Sequence, residues 1–185
     1  AVSAVGCGSS SDSSSSTADS AQSTEAAADG ATFKIGGIGP ITGGAAIYGQ
    51  AVMNAAQMAV DKINADGGIN GYQVEFRFED DEHDAEKSVN AYNTLKDWGM
   101  QMLMGTVTST PCTAVSAKTE EDNMFQLTPS GSAVESIAPA NAFRVCFSDP
   151  NQGTASAQYI GENKLANKVA VIYNSSDVYS SGIYQ

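Results

Sequence analysis

Apolar and polar positions change period repeatedly along this chain, and each change marks an element. Residues 32–39, TFKIGGIG, form a short apolar run ending in glycines, which reads as a strand. Residues 50–65, QAVMNAAQMAVDKINA, put Val52, Ala56, Ala59, Val60 and Ile63 on one helical face. Gly67 and Gly68 stop that helix, and Asn70-Gly71 makes a turn. QVEFRFED, residues 73–80, alternates: Val74, Phe76 and Phe78 face one way, Gln73, Glu75 and Arg77 the other. Asp84 is placed to cap a helix over AEKSVNAYNTLKDWG, whose apolar face is Ala85, Val89, Tyr92 and Leu95. MQMLMG is a third strand, and a helix follows from about Pro111, where proline suits a first turn. MFQLTPSGS is a fourth strand running into a loop, and FRVCFS a fifth. A helix over 151–162 then leads to KVAVIYN as a sixth strand, and a further helix is expected to begin near Gln185.

Strands alternating with helices predict an α/β fold, a mainly parallel sheet with helices on both faces. Ligands of such sheets bind beyond the carboxyl ends of the strands. Those ends are residues 37–48, 79–84, 105–110, 128–132 and 174–181.

Composition narrows the function. The chain has 185 residues, 42 % of them apolar, which supports a buried core. Its net charge of −12 lacks the basic footprint that nucleic-acid binding needs. The single histidine leaves few routes to a Ser-His-Asp triad and cannot build a His-rich metal site. No nucleophile–base pair stands at a spacing that favours an α/β enzyme.

Residues 8–30 hold nine serines and four acids, with no Lys, Arg or aromatic residue. Such a segment cannot bury enough apolar surface to offset its ordering entropy, and it reads as a solvated linker. Just before it, Ala4-Val5-Gly6-Cys7 resembles a bacterial lipobox, with Ala where Leu is usual. The resemblance implies lipidation at Cys7, with residues 1–6 the remnant of an export signal and 7–31 the tether.

KIGGIGPITGGAAIYGQ, residues 34–50, raises the question of a phosphate loop. A P-loop ends in Gly-Lys-Ser/Thr, and none is present. In the dinucleotide fingerprint a third glycine should stand at position 42, which is Thr, and Pro40 interrupts. The glycines instead let the backbone bend and approach a small solute.

The pieces KIGGIGPITGGAAIYGQ, DKINADGGINGYQVEFRFEDDEHDAEKSVNAYNTL, MGTVTSTP, LTPSGS and DPNQGTASAQYI follow one another at strand ends. Together they resemble the solute-binding proteins of ABC importers, the leucine/isoleucine/valine-binding type, over about 150 residues. The resemblance implies a type 1 periplasmic-binding-protein fold: two α/β lobes joined by a hinge, in a protein about twice as long. Residues 32–148 would form lobe one and 149–185 begin lobe two. It implies an amino-acid ligand, an ABC permease as partner, an extracytoplasmic place at the membrane, and no cofactor, metal or catalysis. By the same resemblance Ser109 and Ser132 hold the ligand carboxylate. The Ser130 C=O accepts from its ammonium, Tyr48 lines the side-chain pocket, and Tyr179 closes from lobe two. A sensor domain, or a binder of small amides or other carboxylates, is the alternative within this fold.

The acidic run EDDEHDAEK resembles the family's acidic strand end and a capped helix, which puts His83 at the surface. Trp98 is expected to pack. A family disulfide joins the acidic strand end to the loop before the third helix. No cysteine pair stands there, so the pairing of Cys112 and Cys146 stays open.

Overall fold

The computed structural model describes Gly30 and residues 32–185. Cys7 and nearly all of the serine-rich arm lie outside the described residues. The elements run β1 (Thr32–Gly39), α1 (Ala46–Ala65), β2 (Gln73–Asp80), α2 (Ala85–Asp97), β3 (Met102–Gly105), α3 (Ser109–Glu121), β4 (Gln126–Thr128), β5 (Ala142–Arg144), α4 (Asp149–Glu162) and α5 (Val178–Tyr184). A 3-10 turn, Val134–Ile137, precedes β5.

All five strands are parallel, in the order β2-β1-β3-β4-β5. The chain steps outward from β1 to β2, then returns past β1 to β3. That reversal leaves a crevice beyond the carboxyl ends of β1 and β3.

Alternation along β1 serves two faces. Ile38 lies in a core with Ala91, Tyr92, Leu95, Met100, Leu103 and Val115, formed by the sheet, α2 and α3. Tyr92 is fully buried, and its hydroxyl donates to Asp122 Oδ2 at 2.8 Å. Trp98 packs on the same core, as expected.

The glycines of β1 make room for neighbouring side chains. A Cβ at Gly36 would stand 2.6 Å from Met100 Sδ, at Gly37 2.4 Å from Phe78, and at Gly39 2.4 Å from Val107. This corrects the expectation that these glycines approach a solute. Large side chains of β2, the α2–β3 connection and the loop after β3 fill the space a Cβ would need.

Asp84 caps α2 as predicted, accepting from Lys87 N at 2.8 Å. Other boundaries differ. α1 begins at Ala46, four residues before its apolar periodicity, because Tyr48 N already bonds back to Ala45 O. Ala59 proves exposed, since α1 packs through a narrower face around Val60. β5 ends at Arg144: its last ladder bond is Val145 N to Thr128 O, after which the chain turns to the Ser148 cap of α4.

KVAVIYN forms no strand. Its apolar run has the composition of a strand, but no strand lies beside it among the described residues to complete a ladder. Ile172 is 99 % exposed. The helix expected near Gln185 is α5, which starts at Val178. Cys112 and Cys146 are both free thiols, the first buried and the second half-buried.

Candidate functional site

The loop from β1 to α1 is held by one carboxylate. Asp80, the last residue of β2, accepts from Ile41 N at 2.9 Å and Thr42 N at 3.4 Å through Oδ1, and from the Thr42 hydroxyl through Oδ2. The first turn of α1 then packs on Pro40. A Cβ at Gly49 would stand 1.9 Å from the Pro40 carbonyl oxygen, so only glycine allows this approach. The two contacts aim Tyr48 at the crevice.

β3 leads into Thr108 and α3. Thr108 stands at the N-cap, but its side chain makes no cap bond. Its hydroxyl instead shares a 2.9 Å hydrogen bond with His83 Nδ1. Pro111 has no N–H, and the first backbone bond of the helix comes from Cys112 N to Thr108 O. The Ser109 and Thr110 N–H groups thus remain as donors at the positive end of the helix dipole. Ser109 is buried, and its Oγ accepts from Ala133 N at 3.2 Å.

The loop after β4 is braced from within. Thr128 Oγ1 donates to Thr106 O at 2.6 Å and accepts from Gly131 N at 2.7 Å. The buried Gln126 joins Thr119 to the Gly105 carbonyl beneath it. Ser130 donates its hydroxyl to Val107 O at 2.5 Å. Ser132 is buried, and its C=O accepts from Asp149 N and Arg144 Nη1, which ties the loop to the start of α4.

These loops enclose a cavity of about 470 Å³. Tyr48, Ser109, Ser130, Ser132 and Tyr179, read from sequence as ligand contacts, all line it. So do Ala45, His83, Val107, Thr108, Cys146, Phe147 and Asp177, which sequence reasoning did not select. Tyr179 stands on α5, its hydroxyl accepting from Gln152 Nε2 at 2.9 Å. The serines and the α3 N-terminus offer donors at one end. Tyr48, Val107, Phe147 and Tyr179 offer apolar surface.

His83 is exposed, as expected, and it also lines the cavity. The strand-end rule named residues 79–84 and 174–181, so the signal for His83 and Asp177 was present. Their meeting at one cavity depended on loops converging across the sheet.

Two buried acids stand near this site. Burial raises the Asp81 carboxyl to about 6, although the N–H of His83 favours its charge. Burial also raises Asp149, with the Arg144 charge pulling partly against it. Neither Asp149 oxygen has a hydrogen-bond partner among the described residues.

The Periplasmic binding protein family model matches residues 32–183. The chain is similar to the Leu/Ile/Val-binding protein BraC3 of Rhizobium johnstonii, at 34 % identity over 155 residues. It is also similar to a leucine-, isoleucine-, valine-, threonine- and alanine-binding protein of Pseudomonas aeruginosa, at 32 % over 154 residues. These matches cover 83 % and 82 % of this chain but 42 % and 41 % of the relatives, so the chain spans less than half their length. Among solved structures, it resembles the branched-chain amino acid transporter substrate-binding protein LivJ of Streptococcus pneumoniae in complex with isoleucine. That match has a TM-score of 0.78 and 29 % identity, covering 83 % of this chain and 44 % of that one.

Proposed function

This chain belongs to the periplasmic binding protein family, and from that premise we propose that it captures a free α-amino acid with an aliphatic side chain for an ABC importer. The observation that carries the proposal is the convergence of Ser109, Ser132, Tyr48 and Tyr179 on one cavity. A carboxylate at the α3 N-terminus would receive backbone N–H groups, a favourable dipole and two hydroxyls. The Ser130 carbonyl accepts from the ammonium, and among the described residues no hydrogen bond occupies that oxygen. Tyr48, Val107 and Phe147 cover the aliphatic end, where each buried CH₂ contributes about 0.8 kcal/mol.

Capture without turnover is the reading that accords with membership of a family of binding proteins. Tyr179 closes from the α5 side as the two sides hinge together. The partner is the importer's membrane permease, outside the cytoplasm, with Cys7 as the lipid-anchored end of the tether. Titration calorimetry against the twenty amino acids tests the reading. Heat with leucine, isoleucine or valine is expected; no heat with any amino acid would overturn it. Mass spectrometry of the N-terminal peptide from membrane fractions tests the anchor, with an acylated Cys7 expected.

A further inference from the structure

The one histidine of this chain lies in one turn and meets two segments far from it in sequence. His83 lies in the turn after β2. Its Nδ1 is 2.9 Å from Thr108 Oγ1, beside the α3 N-terminus. Its Nε2 is 3.8 Å from Asp177 Oδ1, beyond hydrogen-bond reach but within reach of an ion pair. Thr110 Oγ1 lies 3.5 Å from the same Asp177 oxygen. Asp177 in turn caps α5, accepting from Ser180 N at 2.8 Å, and α5 carries Tyr179.

We propose that His83 is a positioning residue for ligand retention, its ring bridging the α3 N-terminus to Asp177 and so holding α5, with Tyr179, across the cavity. This rests on the amino-acid-capture reading above. The turn that presents the ring is well held: His83 N donates to Asp81 Oδ1 at 2.9 Å, and Asp84 N to Asp81 O at 2.8 Å. Glu82 and His83 both take left-handed backbone conformations, φ 48° and 62°, uncommon for non-glycine residues. Such outliers persist where the surroundings over-determine them.

The charges around the ring make the bridge directional. On its own turn, Asp81 and Asp84 are engaged with backbone N–H groups, and Glu82 pairs with Lys87 Nζ at 2.7 Å. From α3 only the neutral Thr108 and Thr110 face it. From the α5 side it meets Asp177. Asp177 is therefore the carboxylate that faces the ring from across the cavity, while Thr108 holds its other nitrogen.

The test uses His83→Asn, Asp177→Asn and the double variant. Asn tolerates the left-handed turn and can still reach Thr108, but not Asp177. Asn at 177 retains helix capping. Stopped-flow release of leucine should be about two- to five-fold faster in each single variant, as for a partly exposed pair. The double variant should be no faster than either single one. Additive effects of the two substitutions would overturn the bridge.

A second readout needs no ligand. With a single histidine, the imidazole ¹⁵N resonances form one set. Their chemical shifts at a fixed pH should change in Asp177→Asn. Unchanged shifts count against the bridge whatever binds. No heat with any amino acid counts against the capture reading, and the NMR result still judges the contact.

Discussion

Asp80 and Asp81 are neighbours in the chain and opposites in environment. Burial works against the Asp80 charge, but the Thr42 hydroxyl and the N–H groups of Glu82, Ile41 and Thr42 outweigh it and lower its pKa. Asp81 is buried with Oδ2 unpartnered, and its pKa rises to about 6. For an acid whose folded pKa is raised, the stabilising contribution is full below the unfolded value and lost as pH rises through the folded one. Asp81 therefore favours the fold at pH 4 and opposes it above pH 6. Asp81→Asn should raise stability at pH 8 by roughly 1–3 kcal/mol, with no gain at pH 4, as read by urea denaturation at both values. A gain equal at both would show that burial of charge is not the cause. At the cavity, Ser109→Ala and Ser132→Ala should each weaken amino-acid binding by about 1–3 kcal/mol, the range of a charge-assisted hydrogen bond. Calorimetry reads this directly, and unfolding midpoints separate it from general damage. The Ser109 change also removes the acceptor of Ala133 N, so it should cost more stability than the Ser132 change.

At the scale of elements, helix entry positions the site. The first turn of α1 reaches the crevice because Gly49 lies on the Pro40 carbonyl and Asp80 pins the loop between. Gly49→Ala should destabilise by about 1–3 kcal/mol, the usual cost of overpacking, and should weaken ligand binding by moving Tyr48. Gly44→Ala is the matched control, since a Cβ there meets nothing within 4 Å. Equal effects of the two on unfolding midpoint and affinity would refute the Pro40 contact as the cause. The helix periods and the Asp84 cap were legible in the sequence because they depend on neighbours three and four residues away. The early start of α1 was not, because Ala45 to Gly49 carry no apolar period and the contact that orders them comes from Pro40. KVAVIYN shows the converse. Its strand-like composition was legible, but a strand exists only with a partner.

At the scale of the molecule, the order β2-β1-β3-β4-β5 opens one crevice, and the segments after all five strands converge there with the start of α5. A ligand captured as proposed would tie these segments together and stabilise the folded state by mass action. Ligand at 100 times Kd should add about 2.7 kcal/mol to unfolding, and melting temperature should rise with leucine concentration. X-ray scattering should show a smaller radius of gyration with ligand if closure is a hinge motion. Unchanged scattering alongside saturating heat would indicate binding without closure.

The sequence by itself determined the alternation of elements, the parallel α/β class and the strand ends where a ligand belongs. These follow from local periods and from the rule that parallel strands need crossovers. It also excluded the phosphate loop, since a missing Lys is missing in any fold. Only the tertiary structure decided what the glycines of β1 are for, because the side chains that fill their space come from β2, the α2–β3 connection and the loop after β3. It likewise decided that His83 joins the cavity wall, with Thr108 and Asp177 as its partners 25 and 94 residues further along the chain. Side-chain packing and long-range polar contacts depend on which loops meet, and no local pattern encodes that.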